Sequence, residues 1–583
     1  MGKKLLLFLA ASALATAAPV INSGGVVNAA SNAPLGGANS GIAEGSFFSI
    51  YGTGLGPASP TSASAPLGTS LGGTTVAITP VGGGAPVQAI VYFTYANQVN
   101  GILPSNTPVG DANVTVTFGG ATSAPVKIRV VKSSFGIFTF SYGSGPAAAQ
   151  NYNSATDTPV NSLTNAVNPG QVMILYGTGL GPITGPDNVP PGAVSPVGIG
   201  IDNVRVLVGG QSITPLYAGR TPSYPAEDQI NFQLPSDASV ADGCFVPIAV
   251  SVNGVVSNYA TIAKATGSRT CPAPLGLSTS DMQKLDQGGS LKIGVLDLYR
   301  SSTQGSFSGI SFNSISEGAT GLFTAYGASG LYSLTSTPGA VAPFSSFGTC
   351  TVTTVNSTST PTSTLPPALS TPLNAGSSLA LSGPNNKSAS LPFSGTAGYS
   401  VTLAQSNSIP GLPGGGGGGS TLPTSFLEAG TWTMTGTGGT DVGPFTAKIT
   451  IPTALNCTNC ASISTIDRSQ PLTINWTGGG GDQDYVIIGG ESSAPSVADA
   501  TKTVAVLFYC VARASDQHFT VPANVLGQLP ATTGDITSGS IGALILLNGL
   551  SGTQFTAPLT AGGNLDLGYF SYVNSAIQLA TYK

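Results

Sequence analysis

The sequence predicts an all-β protein built from several sandwiches in tandem, and three observations carry that expectation. Its 583 residues exceed what one core organises, at about 100 to 200 residues per domain. Its 80 glycines and 43 prolines favour turns and short strands over long helices. Its apolar residues recur with a period of two in stretches such as Thr75-Val76-Ala77-Ile78 and Val114-Thr115-Val116-Thr117-Phe118, a pattern that turns one face of a strand toward a core.

The chain opens on Met1-Gly2-Lys3-Lys4, an apolar run from Leu5 to Ala15, and Ala15-Thr16-Ala17. This is the pattern of a secretory signal, residues 1–17, with cleavage expected after Ala17. The apolar run is well short of the ~20 residues that span a bilayer, and no later segment reaches that length without polar interruption, so no membrane span is expected after signal cleavage. Charged residues are only 7% of the chain, against about 25% in an ordinary domain, so hydroxyls, amides and backbone must meet the water. A net charge of −5 without any Lys/Arg cluster argues against nucleic acid as a partner. Six cysteines, an even number, suit an oxidising compartment. The expected location is outside the cytoplasm: periplasm, cell surface or medium.

One motif occurs twice. Phe48-Ser49-Ile50-Tyr51-Gly52-Thr53-Gly54-Leu55-Gly56-Pro57 returns as Ile174-Leu175-Tyr176-Gly177-Thr178-Gly179-Leu180-Gly181-Pro182. Each copy is an apolar strand running into a glycine turn closed by proline. Downstream, Gln98-Val99-Asn100-Gly101-Ile102-Leu103-Pro104 matches Gln229-Ile230-Asn231-Phe232-Gln233-Leu234-Pro235, and the hairpin turn at Gly119-Gly120 matches Asn253-Gly254. Three matches in one order predict a duplicated domain, with copies over residues 20–142 and 159–271.

Asn168-Pro169-Gly170-Gln171-Val172 leading into Tyr176-Gly177-Thr178-Gly179-Leu180-Gly181-Pro182, with Gln229-Ile230-Asn231 and Leu234-Pro235 beyond, resembles a family of uncharacterised secreted domains of Solibacter-type acidobacteria. The Pro-Gly, strand, Gly-x-Gly-Leu order also resembles the IPT/TIG immunoglobulin-like fold. The first copy matches less closely, having Ala43-Glu44-Gly45 where the second has Asn168-Pro169-Gly170. The resemblance covers roughly residues 20 to 271. It implies immunoglobulin-like β-sandwiches and a secreted protein, and it brings no activity or functional residues.

Residues 272–453 read as one elaborated β domain. Its strands, such as Leu291-Lys292-Ile293-Gly294-Val295-Leu296 and Thr431-Trp432-Thr433-Met434-Thr435, are interrupted by a Ser/Thr/Pro-rich stretch from Thr349 to Pro372 and a glycine run from Gly414 to Gly419, both read as loops. Residues 454–583 read as a further sandwich, with strands at Leu472-Thr473-Ile474-Asn475-Trp476, Val486-Ile487-Ile488 and Val504-Ala505-Val506-Leu507-Phe508, and a short helix near Val521 to Leu526.

Candidate chemistry is sparse. The glycine turns lack the spacing of a dinucleotide loop, and Pro57 and Pro182 stand where a helix would have to begin. His518 is the only histidine, and beside Phe519 in a β-like stretch it reads as a partly exposed strand histidine. Asp482 and Asp484, near Glu491, form the most acidic local cluster; on a glycine-rich loop they read as a solvated turn, and a Ca²⁺ site would need six or more oxygens. No catalytic, cofactor or metal residue is therefore assigned. Cys244 and Cys271 bracket the last hairpin of the second copy and read as a structural bridge, whose loop closure stabilises by about 3.5 kcal/mol in the chain-entropy picture. Cys457 and Cys460 have redox-motif spacing without a βαβ setting and read as a local bridge, leaving Cys350 and Cys510 as a long-range pair; spacing alone does not fix the connectivity. Trp432 and Trp476 could stack on sugar rings, but both lie on alternating strands, where a core position is favoured.

The expectation is an exported, non-catalytic structural or interaction protein of the cell surface or extracellular space. Its partner would be a surface protein or a polysaccharide. The alternative is a carbohydrate-binding protein, motivated by Trp432, Trp476 and tyrosine-rich turns, and a third reading is a carboxylate-dependent glycoside hydrolase using Asp482 and Asp484.

Overall fold

Strands dominate the chain because β-branched and aromatic residues alternate with Ser, Thr and Asn between closely spaced glycines and prolines. A computed structural model describes residues 18–583 except 38, 194, 197–198, 273–275, 308–309, 328–345, 357–369, 396–397, 409–421, 496–502 and 536–537. The expected leader and the glycine run at 414–419 lie outside the described residues. The fold is all-β, with immunoglobulin-like sandwiches in tandem.

The first repeat packs a five-stranded sheet on a seven-stranded one. Phe47–Thr53, which ends in the glycine turn, lies between Val20–Asn28 and Gln98–Ile102. The opposite sheet centres on Gly110–Phe118, paired with Thr74–Pro80 and with Val126–Val131 across the expected hairpin. Alternate residues meet in between: Ile50, Val99, Val76, Ile78, Val114 and Val116 are all fully buried.

The second repeat has the same plan. Val172–Thr178 pairs with Asp228–Gln233, and Val204–Val208 with Gly243–Val252, around a core that includes Leu175, Ile230, Phe232, Val206 and Val250. Its first strand begins earlier than the sequence reading has it. Residues 136–142, read as the end of the first copy, belong with the second: Gly136–Ile137 and Ala149–Tyr152 both pair with Val172–Thr178. The first repeat has only a bulge between Ile21 and Val26 at the corresponding place, so a hairpin of Thr139–Ser141 and Ser144–Ala147 is inserted where the first copy merely kinks. Such an insertion interrupts the strand pattern and displaces the apparent boundary.

The two C-terminal segments also depart from the reading of separate domains. A ten-stranded sheet carries strands from both. The long hairpin Ser290–Phe307 and Ile310–Gly327 lies beside Leu567–Leu579, with Ile293 opposite Leu567 and Gln304 opposite Gln578 in parallel register. Parallel neighbours so distant in sequence leave no local signature. One face of this sheet is covered by a four-stranded sheet bearing Leu379, Trp432, Met434 and Ile449, and further along by Leu472–Thr477, His518–Val521 and the short helix Ala523–Leu526. Thr349–Asn356, read as loop, is instead an edge strand on Thr503–Arg513, because its threonines and valines suit a pleated strand.

A helix that the sequence reading lacks, Thr279–Asp286, joins the second repeat to the large sheet. Ser278 caps it and Asp281 completes a capping box, while Met282 and Leu285 are buried beside Phe245 and Leu291. Asp286 accepts hydrogen bonds from the Leu163 and Thr164 amides at 3.1 and 2.9 Å, tying the helix to the second repeat. Among the described residues, no helix is long and apolar enough to cross a membrane.

Candidate functional site

The repeated motif places its two tyrosines alike. Tyr51 faces Gln98 and Tyr176 faces Gln229 across the same strand pair. Each glutamine Nε2 donates 2.9 Å to the asparagine two residues on, Asn100 or Asn231. Each tyrosine hydroxyl donates to a side-chain amide oxygen, on Asn32 at 3.2 Å and on Gln150 at 2.9 Å. Gln-x-Asn is thus a self-bonded ladder on a half-buried sheet face, which explains its recurrence without any ligand.

The glycines have a packing reason as well. A Cβ on Gly177 would strike the Phe135 ring and the Gly136 carbonyl oxygen, and one on Gly179, at φ +107°, would strike the Ser134 carbonyl oxygen. The turn therefore presses against the chain that enters its own repeat. Leu55 and Leu180, both fully buried, anchor the two turns. Here the copies diverge: the Leu55 amide donates to the Ala96 carbonyl at 2.9 Å, whereas the Leu180 amide donates to the Asp228 carboxylate at 2.7 Å.

That substitution of carboxylate for carbonyl opens a fully buried polar cluster. Asp228 Oδ1 lies 2.8 Å from Arg220 Nη1 with both side chains at 0% exposure, and Arg220 Nη2 donates to the Gly181 carbonyl at 3.1 Å. Burial pushes the Asp228 carboxyl up to about 6 against the opposing pull of Arg220 and of two backbone N–H groups. Burial, reinforced by the neighbouring Asp228, pushes the Glu227 carboxyl up to about 7.

The first repeat forms the lid over this cluster. Gly45 sits above the guanidinium, where a Cβ would lie 3.0 Å from Arg220 Nη2. Ser105 donates through both its amide and its hydroxyl to the Asp187 carboxylate at 2.7 Å. The Phe47 amide donates to Thr178 Oγ1 at 3.0 Å, and Asn28 Nδ2 to the Ser134 carbonyl at 2.9 Å. Leu67 and Asn188 exchange two bonds, and Leu67, Ile102 and Ala226 close a small apolar patch between the repeats. The glycine turn is consequently buried in the second copy and largely exposed at Thr53 and Gly54 in the first. Arg220, Asp228, Ser105 and Asp187 are not among the residues that the sequence singles out. The available signal was the position of Asp228 directly before the Gln-x-Asn motif in a chain with so few charges.

The residues singled out for chemistry do not converge. His518 is exposed, with Nδ1 at 2.9 Å from the Asp516 carbonyl oxygen of its own turn. Asp484 accepts the amides of Gly481 and Ser551 at 2.8 and 2.9 Å and so closes the glycine loop. Asp482 is exposed and contributes its carbonyl oxygen to Arg513, while Glu491 lies half-buried within the strand Tyr485–Pro495, its carboxyl raised by burial. Trp432 and Trp476 are 0% and 1% exposed, so neither can offer a face to a sugar. Their indole N–H groups donate to the carbonyls of Glu428 and Ala514 at 3.0 and 2.9 Å. The carbohydrate reading loses its two tryptophan platforms, because each indole fills a sandwich interior. Disulfides join Cys244 to Cys271, Cys350 to Cys510 and Cys457 to Cys460.

No family model matches the chain, and no curated protein matches it. Among solved structures, domains 5–6 of the S-layer protein SbsC align at 13% identity, covering 43% of this chain and 100% of that one, with a TM-score of 0.16. SGBP-B of the Bacteroides ovatus mixed-linkage glucan utilization locus, solved with a mixed-linkage heptasaccharide, aligns at 13% identity over 85% of this chain and 88% of its own, with a TM-score of 0.12. The FN1–FN3 domains of chicken CNTN1 align at 8% identity over 72% and 91%, also at 0.12. At such scores these likenesses carry no argument about activity or ligand.

Proposed function

We propose that the chain is an exported, non-catalytic structural or interaction protein of the cell surface or extracellular space. The observation that carries this reading is the joint between the repeats. The Ser105–Asp187 bonds, the Phe47–Thr178 bond and the Leu67–Asn188 exchange join the two sandwiches, over a fully buried Arg220–Asp228 pair of the second. Tandem sandwiches joined in this way suit a spacer or a presenting scaffold, where domains hinged on loose linkers would not.

Three further features support it: the leader pattern before Pro19, three disulfides that suit an oxidising compartment, and a surface that relies on hydroxyls and amides. The resemblance of residues 20–271 to secreted acidobacterial domains points the same way. Asp482 and Asp484 give the hydrolase reading little support, since Asp484 is spent on backbone amides and Asp482 is exposed and contributes only its carbonyl oxygen, to Arg513. Fractionation of the native organism tests the proposal. The protein is expected in the envelope or medium, and confinement to the cytosol would overturn it.

A further inference from the structure

A cavity of about 220 Å³ opens where the first repeat, the second repeat and the ten-stranded sheet meet. The first repeat contributes Asn32 and Asn39, the second Tyr142, and the C-terminal part Thr353, Thr354 and Gln528. No charged side chain lines it among the described residues. Its walls are side-chain amides, hydroxyls and short apolar groups, a lining that suits an uncharged molecule.

Tyr142 marks the cavity as more than a seam. It stands at the tip of the hairpin that the second repeat has and the first lacks, and it is 89% exposed. Its backbone is in the left-handed region, at φ +51°, followed by Gly143 at +93°. The chain meets the same geometry at Asn253-Gly254, with φ +51° and +82°, using the asparagine that such a turn favours. A tyrosine in that position strains the turn and buries almost none of its ring. Strain held at the mouth of a cavity is a pointer to function rather than to stability.

Opposite the ring, hydrogen-bonding capacity is left over. Asn32 Oδ1 takes the Tyr51 hydroxyl, while its Nδ2 donates to no group among the described residues. Asn39 Nδ2 gives one hydrogen to the Phe135 carbonyl at 2.8 Å and keeps a second. Asn39 and Asn32 are held in place by these bonds, so the unused donors are fixed in direction. An exposed aromatic face beside planar amides and hydroxyls is the chemistry that receives a sugar ring, whose C–H face stacks while its hydroxyls pair. The volume is below the 300–1,000 Å³ of sites for drug-sized molecules, so it admits about one ring.

We propose that this junction binds a neutral saccharide, with one sugar ring in the cavity and Tyr142 stacked at its mouth. The proposal deepens the reading of a surface interaction protein and rests on it only for where the glycan is met. Binding by the purified protein and localisation in the cell are separate measurements, so either can fail without the other.

The test uses the full chain with its disulfides intact, titrated calorimetrically with neutral oligosaccharides of glucose, xylose, mannose and N-acetylglucosamine. At least one is expected to bind with an affinity indifferent to ionic strength. Tyr142→Asn is expected to weaken binding about tenfold or more while leaving the melting temperature unchanged or higher, since asparagine suits the turn. Asn32→Ala is expected to weaken it too. Silence across the panel, affinity that survives Tyr142→Asn, or a preference for anionic sugars or a neutral peptide would each overturn the proposal.

Discussion

Arg220 and Asp228 face each other at 2.8 Å across adjacent strands with no exposure to solvent, and further hydrogen bonds tie them to the glycine turn at Leu180 and Gly181. An ion pair out of water is costly unless its geometry is complete, and removing one partner leaves the other charge stranded. Arg220→Ala or Asp228→Ala should therefore destabilise the repeats by about 3–5 kcal/mol. The double replacement Arg220→Met with Asp228→Leu should recover most of that loss. Denaturant unfolding of the four proteins measures both effects.

The same corner predicts a pH dependence. The Glu227 carboxyl is raised from 4.5 to about 7 by burial and by Asp228. A carboxyl raised on folding keeps its proton in the folded protein while the unfolded chain has lost it. The stabilisation that protonated Glu227 contributes should then be fully present below about pH 4.5 and be lost as pH rises through about 7. Glu227→Gln should flatten that slope, as read from melting temperatures across the window.

Glycine replacements separate packing from backbone preference. Gly177→Ala drives a methyl into Phe135 and the Gly136 carbonyl and should cost several times more than Gly54→Ala. Gly54, at φ +65° with only Pro19 in reach, should lose about 1–2 kcal/mol from its left-handed backbone alone. Thermal melts of the two single variants check the ratio.

Trp432→Ala and Trp476→Ala should each cost about 3–5 kcal/mol, as expected for emptying a buried aromatic site. Neither should alter saccharide affinity measured on the folded fraction. An affinity change without loss of stability in either variant would return the sugar platform to these rings.

Breaking Cys350–Cys510, which spans 160 residues, should destabilise by up to about 5 kcal/mol in the chain-entropy picture. The local Cys457–Cys460 bridge, spanning 3, should matter less. Paired Cys→Ser variants compared by denaturant midpoint supply the measurement.

What could be read from the sequence was whatever local chemistry dictates. Tyr51 and Tyr176 sit in matching places because a strand running into a glycine turn is specified by its own residues, and Asn253-Gly254 makes its hairpin for the same reason. The burial of Trp432 and Trp476 follows from alternation in the strands that carry them. What could not be read depends on distant partners. The pairing of Ile293 with Leu567 merges two apparent domains into one sheet, and nothing near either residue announces it. The Thr139–Ala147 insertion hid the start of the second repeat, and with it the significance of Tyr142. Asp228 stands directly before the Gln-x-Asn motif, but its pairing with Arg220 under the first repeat is a tertiary fact.

The central claim, an exported protein with its disulfides formed, meets its most direct test in one intact-mass measurement on the protein from its native cells, alkylated before any reduction. The account predicts a chain beginning at Ala18, recovered from the envelope or medium, with all six cysteines unmodified by the reagent. A chain still carrying the leader, recovered from the cytosol with six alkylated thiols, would contradict it.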